Sequence, residues 1–480
     1  MGEPRPVTHS VDALVRELER LREENAALRA VVAQQAALIE QLLRRVQELE
    51  ARLAKDSHNS SKPPSSDGMR KPKSLRKAGE RPPGGQPGHR GSTLKRVADP
   101  TLVVEHSLPP TCDACGRPLA GEVTSEARQV FDLPPVRLEV TEHRTLEARC
   151  ACGKVHRSVF PAEVVAPVQY GVHIKALAVY LTEHHMLPLE RTARLLGDCY
   201  DVPISAATVM TMIREAEERL VPTATRIGEA LAQAPVAGAD ETGLRVAGKL
   251  HWLHTTVTEA LTWMGLHARR GKQAFAAFGI LTDFAGTLVH DGWAPYRDLS
   301  CEHALCNAHH LRELTFVHEV CGQPWAGRLI DCLTEANRRV LSSPDRGLPQ
   351  EDIEGIRRQY EAILSEGEAV NPPAPPSGKR GRTRQSFPVN LLRRLRDHAD
   401  DVLRFTRDPR VPFSNNLAEQ AIRMPKVKQK VSGCFRTPEG AAAFCTIRAH
   451  LATLQKQGFD LLQSLVLSFQ GNVPQPRLSG

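Results

Sequence analysis

A chain of 480 residues is too long for one ordinary hydrophobic core, and at roughly 100 to 200 residues per domain it implies three or four folded units. Its 63 Lys+Arg against 55 Asp+Glu leave a charge of +8, too small to identify a partner, and eleven cysteines, an odd number, suit thiols or metal ligands better than a disulfide framework. No apolar run reaches the roughly 18 residues of a membrane helix, and Met1 to Arg20 is charged without the apolar stretch of a leader, so the expected setting is cytoplasmic with no membrane partner.

Val11 to Leu53 reads in heptads. Val11, Leu18, Asn25, Val32, Ile39, Val46 and Leu53 fall at a, with Leu14, Leu21, Leu28, Gln35, Leu42 and Leu49 at d. Mostly β-branched residues at a with Leu at d favour two parallel strands, and the lone Asn25 can hydrogen-bond its twin and fix the register. Residues 1–55 are therefore expected to form a coiled coil that makes the protein a homodimer or higher oligomer; the alternative is an amphipathic helix packed on its own chain.

Residues 56–100 change to Ser, Pro, Gly and basic side chains. Between Lys55 and Arg96 lie eleven basic residues against three acids, an excess equal to that of the whole chain. So few apolar groups cannot offset the ordering entropy, which leaves a solvated tether or a phosphate-contacting arm. The stretch from Glu368 to Pro388 has the same character and reads as an exposed loop.

In residues 101–165, Cys112-x2-Cys115 and Cys150-x-Cys152 frame β-like runs at Gln129–Leu133 and Leu138–Thr145, with Gly116 and Gly153 just after each pair. Four thiolates in two knuckles suit a closed tetrahedral structural Zn2+ in a zinc-ribbon-like segment, with His156 as a substitute ligand. The competing reading is two incidental cysteine clusters in turns.

Residues 166–234 read as helices. Within them, Leu187 to Leu220 has the pattern helix, turn, helix: Gly197 and Pro203 break it, Ser205 caps, and Val209, Ile213 and Leu220 form the buried stripe. In a DNA-binding version Thr208 and Thr211 would approach base edges, although an ordinary helical hairpin looks the same. From Pro235 the pattern turns to strands at Val236–Asp240, Leu244–Val246, Leu250–Thr258, Leu261–Leu266 and Thr287–Asp291, with a helix near Lys272–Phe278.

Three acids fall at the ends of these elements: Asp240, Asp291, and Glu419 in the first turn of a helix near Asn416. Carboxylates from adjacent strand ends plus one from a facing helix can hold two Mg2+ ions roughly 3.5 to 4 Å apart, as two-metal phosphodiester chemistry requires. The long gap before Glu419 calls for a helical insertion over 311–405 between the core halves 235–310 and 406–480. Each acid also has a plainer explanation: Asp291-Gly292 as a turn, Asp240-Glu241 as the start of a hairpin loop, and Glu419 as partner of an Asn416 cap.

The strings NSSKPPSSD (59–67), GGQPGHRG (84–91), ADET (239–242), HDGWAPY (290–296) and NNLAEQAIRMPKVKQKVSGCFRTPEGA (415–441) resemble those of DDE transposases of the insertion-sequence-sixty-six family, as does the order of modules over nearly the whole chain. The resemblance implies a multidomain α+β protein with a ribonuclease-H-like α/β catalytic core interrupted by helices. Asp240, Asp291 and Glu419 would be the DDE acids, holding two Mg2+ or Mn2+ ions. Such an enzyme binds the terminal inverted repeats of its element, cuts a strand at the end and joins the 3′-OH to target DNA, in a nucleoid setting and often with accessory transposition proteins. Beside it stand a catalytically inactive DNA-binding regulator and a structure-specific nuclease.

After Glu419, the residues Arg423, Lys426, Lys428 and Lys430 are candidates for DNA phosphate contacts, against a solvated basic helix face, and Arg423 shares the helix face of Glu419. His290 is a secondary candidate for orienting a ligand or phosphate, although strand alternation turns it away from Asp291. Two departures from relatives are Ser414, where Asp is common, and Cys306-x2-His309, readable as a second metal site or as helix packing. Purified protein is expected to carry zinc by elemental analysis and Cys112→Ser to lower it; unchanged metal content would count against the tetrathiolate.

Overall fold

The computed structural model describes residues 11–60, 93–119, 126–133, 138–375 and 383–478. Most of the expected basic linker, residues 61–92, and the middle of the second basic loop, 376–382, lie outside the described residues. The chain divides into two compact units: residues 1–75, 223–426 and 476–480 form the first, and 76–222 with 427–475 the second.

The first unit opens with α1, Val11–Leu53, one uninterrupted helix over the stretch read in heptads. Its composition is rich in Ala, Leu, Arg, Glu and Gln, the residues that lose least on entering a helix. Every apolar a and d side chain is exposed, from Leu49 at 42% to Leu53 at 86%.

In the second unit, β1 (Glu147–Arg149) and β2 (Val155–Arg157) form a short antiparallel hairpin. The expected strands at 129–133 and 138–145 are not formed. Those residues pair with no strand and are almost all exposed, and β-propensity without a buried face does not hold a ladder. Helices α2 (Val172–Val179), α3 (Leu189–Tyr200) and α4 (Ala206–Ala232) follow, with a π-helical turn at Tyr180–His184. Gly197 does not break α3; the break falls at Asp201, whose φ of 57° ends the helix in the left-handed region. Ser205 Oγ accepts from Thr208 N–H at 3.1 Å, the cap expected there. The buried stripe Val209, Ile213 and Leu220 shares a core with Ile447, Leu451 and Leu465.

The first unit resumes with β3 (Val236–Val246), β4 (Lys249–Val257), β5 (Thr262–His267), α5 (Lys272–Phe278), β6 (Thr287–His290) and β7 (Glu302–Leu305). The sheet order is β5-β4-β3-β6-β7: β3, β4 and β5 run antiparallel, and β6 and β7 are parallel to β3. Ala247 and Gly248 turn the β3–β4 hairpin with φ of 48° and 77°, the sense that matches strand twist in a two-residue loop. One strand, β3, therefore covers the two segments read separately, and β7 was not legible in the pattern. Ala237, Ala239 and Leu288 meet Phe275, Phe284 and Tyr296 in one core cluster.

Five helices follow: α6 (Asn307–Glu319), α7 (Pro324–Ser342), α8 (Gln350–Val370), α9 (Phe387–Asp397) and α10 (Ala399–Arg407). They build a core of their own around Trp325, Leu333 and Tyr360 that continues into Val289, Ala304 and Leu305 of the sheet. At about 1.5 to 3 kcal/mol per fully buried large side chain, that core binds the helices to β6 and β7. The end of α1 also attaches here. Lys55 Nζ lies over the rings of Phe316 and Phe387 at 4.9 and 4.3 Å, and His58 Nε2 is 3.2 Å from Glu319 Oε1.

The chain then enters α11 (Asn416–Ser432), followed by α12 (Pro438–Lys456) and α13 (Leu461–Phe469). The division between units falls inside α4 and α11, beside Pro222 and Pro425, each of which removes a helical hydrogen bond. Asn415, just ahead of α11, donates from Nδ2 to Ala239 O at 2.7 Å, and a Cβ on Gly238 would collide with its Oδ1. Gly238→Ala is thus expected to lower stability by about 1 to 3 kcal/mol, although alanine is ordinarily the better strand residue. Thermal unfolding checks this; a variant as stable as the parent would mean that the clamp is loose.

Candidate active site

The parallel ladder between β3 and β6 ends at the pair Gly238↔Val289. Asp240 and Asp291 each lie two residues beyond, so strand period brings both carboxylates to the same face at the same level. Asp240 does not close its strand, as the sequence suggested; β3 runs on to Val246, paired only with β4. It is the parallel pairing that stops there. Asp291 follows β6 in a turn in which its Oδ1 accepts from Trp293 N–H at 2.8 Å and Gly292 adopts a φ of 86°.

Glu419 reaches this face from the first turn of α11. Asn416 is already the first helical residue, and Glu419 N–H donates to Asn415 O at 3.1 Å, which displaces the reading of Asn416 as its cap. The Glu419 carboxylate faces α6: Oε1 lies 3.8 Å from Cys306 Sγ, 3.7 Å from His309 Nδ1 and 3.8 Å from Arg312 Nη2.

Electrostatics tie the three acids together. Burial, then the charges of Glu241 and Asp291, with Glu419 adding to them, hold the Asp240 carboxyl well above the usual carboxylate range. Only the Glu241 N–H, donating to Oδ1 at 2.8 Å, works the other way. Carboxylate oxygens are the donors a hard divalent cation takes, so the chemistry of these three side chains suits Mg2+ or Mn2+.

Glu241, one residue on, points to the opposite face and is matched. Arg270 Nε donates to its Oε1 at 2.9 Å and the Tyr296 hydroxyl to Oε2. Burial raises the Glu241 carboxyl and these two partners oppose it. Arg270 in turn lies 3.8 Å from the ring centre of Trp293 and 4.7 Å from that of Trp252. Glu241 does not begin a loop. Sequence reading missed Arg270, Tyr296, Arg312 and Asn415 as supports, although Tyr296 and Asn415 lie within the quoted strings.

His290 does not face a ligand. It is fully buried; Nδ1 accepts from Gly292 N–H at 3.0 Å and Nε2 lies 3.2 Å from His303 Nδ1. Burial, then His303, pushes it down to about 3, so it is a neutral prop for the turn carrying Asp291.

The basic residues after Glu419 divide. Arg423 and Lys430 are exposed. Lys426 Nζ donates to Gly243 O at 2.9 Å from an exposed position. Lys428 is turned inward, 3.1 Å from Glu183 Oε1 and over the Phe444 ring at 4.8 Å, so it is not a surface phosphate contact. A buried ammonium stays only where it is paired, and Glu183 supplies the pair.

The two cysteine knuckles share one backbone form: Gly116 N–H donates to Cys112 O at 2.9 Å and Gly153 N–H to Cys150 O at 2.8 Å, with both glycines at positive φ. Hydrogen bonds from the Ala114 backbone and then from Cys115 lower Cys112, and hydrogen bonds from Cys152 lower Cys150, a step toward thiolate. Among the described residues, neither Cys112, Cys115, Cys150 and Cys152 nor the trio Asp240, Asp291 and Glu419 is gathered closely enough for three ligand atoms to share one ion; Cys306, His309 and Glu419 are the residues so gathered. A tetrathiolate needs its sulfurs about 3.8 Å apart, which only an ion holding all four enforces.

The transposase IS66 family model matches residues 167–443, which includes all three acids. A model described as the zinc-finger binding domain of transposase IS66 matches 109–153 and includes the four cysteines, and a family of unknown function (DUF6444) matches 8–95. No curated protein matches the chain. No helix among the described residues is long and apolar enough to cross a membrane.

A carboxyl raised in the fold stabilises fully below its unfolded pKa, and that contribution is lost as pH rises through the folded value. At neutral pH in magnesium-free buffer, Asp240→Asn is expected to melt above the parent. The gap should narrow at mildly acidic pH and on adding Mg2+. Thermal melts across pH check this, and a parent at least as stable throughout would contradict the charge crowding.

Proposed function

The chain belongs to the IS66 family of transposases, and from that premise we propose that it cuts and joins DNA at the ends of its element, with Asp240, Asp291 and Glu419 as the DDE acids. What supports this reading is that the family model spans all three acids, that Asp240 and Asp291 each lie two residues beyond the last β3–β6 pair, and that Asp291 and Glu419 are among the charges that raise the Asp240 carboxyl. The sheet order, three antiparallel strands continued by two parallel ones, supports a ribonuclease-H-like core, with α6 to α10 as its helical insertion.

Two Mg2+ or Mn2+ ions held by these acids would supply Lewis-acid polarisation of the phosphodiester and a more acidic water or 3′-OH. The chain's own part is positioning. Asp240 and Asp291 present oxygens from adjacent strand ends, and Glu419 does so from a helix fixed by Asn415. His290 and Gly292 hold the turn of Asp291. Arg423, Lys426 and Lys430 are exposed beyond Glu419, where phosphate contacts position DNA without reading sequence.

Terminal inverted repeats and target DNA are the proposed partners. The α3–α4 hairpin, with Thr211 exposed early in its second helix, and the zinc-finger segment with its structural Zn2+ are the proposed readers. The uncovered apolar seam of α1 supports a parallel homodimer, which would bring two catalytic units to two element ends. Accessory transposition proteins belong to the same reading.

The test incubates full-length protein with labelled element ends and Mg2+. The parent is expected to nick at the element terminus, and Asp240→Asn to bind the same ends in gel shift without cutting. Binding without nicking by the parent would favour a regulator, and nicking of junctions regardless of terminal repeats would favour a structure-specific nuclease. A variant that cuts like the parent removes Asp240 from the mechanism.

A further inference from the structure

Glu419 has neighbours that a magnesium site does not call for. Cys306 immediately precedes α6 and His309 is its third residue, so the three-residue spacing puts Sγ and Nδ1 on one side of the helix start. Both meet Glu419 Oε1, at 3.8 and 3.7 Å, and the three ligand atoms lie within 4.8 Å of one another. His309 Nδ1 is a buried atom without a hydrogen-bond partner, an unfavourable arrangement that a bound ion relieves.

Sulfur, imidazole nitrogen and one carboxylate oxygen are the donors of a borderline-soft ion, and three protein ligands with a free fourth position is the usual form of an open zinc site. Bond lengths of about 2.0 to 2.3 Å give tetrahedral edges of about 3.3 to 3.8 Å, so closing on an ion takes side-chain shifts of a few tenths of an ångström. Magnesium demands oxygen in octahedral geometry and is a poor match for this trio. We propose that Cys306, His309 and Glu419 form a binding site for a thiophilic divalent cation of the zinc class, separate in chemistry from the cation site of the acids.

The surroundings are compatible with this. The Cys306 sulfur already accepts from Asn415 N–H at 3.2 Å, which orients it toward Glu419. Arg312 Nη2 lies 3.8 Å from the Glu419 oxygen, beyond hydrogen-bond distance, and is the charge that an ion displaces. Its Nε donates to Ala308 O at 3.2 Å, so the side chain keeps an anchor when it yields. Because Glu419 is shared, an ion here withdraws it from the other two acids, and zinc-class ions act as a brake on cutting. That consequence rests on the function proposed above; the binding itself does not.

Full-length protein is dialysed against excess Zn2+, freed of loose metal and analysed for zinc per chain, with circular dichroism to verify folding. The parent is expected to hold one equivalent more than either Cys306→Ser or His309→Ala, and Asp240→Asn to hold as much as the parent. In Co2+-substituted protein, the sulfur-to-cobalt absorption should fall in Cys306→Ser by the share of one thiolate. Equal zinc in parent and both variants, or loss in only one of them, overturns the site. Loss in Asp240→Asn as well assigns the ion to the acids instead. No readout involves DNA, so failure here leaves the cutting reading standing, and failure of cutting leaves this one standing.

Discussion

Two parallel strands stop pairing at one level, and the candidate chemistry follows from where they stop. Because β3 and β6 are in register at Gly238↔Val289, continuing both by two residues delivers Asp240 and Asp291 side by side. A slip of one residue would present Ala239 or His290 instead, since side chains alternate across the sheet. The alternation is used on both sides: His290 faces inward and holds the Gly292 N–H, and Asp291 faces outward on the turn so held. A buried neutral imidazole and an exposed carboxylate are thus two consequences of one register.

The third acid is 128 residues from the second. Chain entropy is a minor obstacle to that distance, because each doubling of a closed loop costs only about 0.6 kcal/mol. What matters is that the intervening helices bury their own core and continue it into β6 and β7, so the detour ends packed against the sheet. The return is fixed at a few points. Asn307 N–H donates to Phe413 O at 3.1 Å, Asn415 N–H to Cys306 Sγ at 3.2 Å, and Asn415 Nδ2 to Ala239 O at 2.7 Å. Gly238 is the strand position that leaves room for the last of these.

Elements with a strong period were legible in the sequence. The 43-residue helix, the Ser205 cap and the α5 helix come from local patterns that tertiary context does not overrule. Illegible features were those whose cause lies elsewhere in the chain. The strand pattern stops at Asp240, with a hairpin loop at Asp240-Glu241 as an alternative, yet Arg270 and Tyr296, 29 and 55 residues away, let a carboxylate lie in a central strand. Lys428 looked like one more member of a basic face because Glu183, 245 residues earlier, is invisible to any local pattern. The β-like runs before the hairpin failed in the opposite sense, with local propensity present and no partner to bury it. Motif strings drew attention to the right places without saying which residue in each does what.

Adjacent residues Asp240 and Glu241 show how one strand separates two electrostatic environments. Both are carboxylates and both are raised by burial, but Glu241 receives a guanidinium and a phenol while Asp240 receives more negative charge. Removing a partner from a buried ion pair costs about 3 to 5 kcal/mol, so a fold selected only for stability would place a cation beside Asp240 as it does beside Glu241. Arg270 instead stays on the far face, between two tryptophans that leave it little freedom to cross. The unmatched face is therefore a stored instability that an external cation relieves. Arg270 is thus held behind the strand, and Arg312 Nη2 stands 3.8 Å from Glu419, at the other end of the acid trio in the chain.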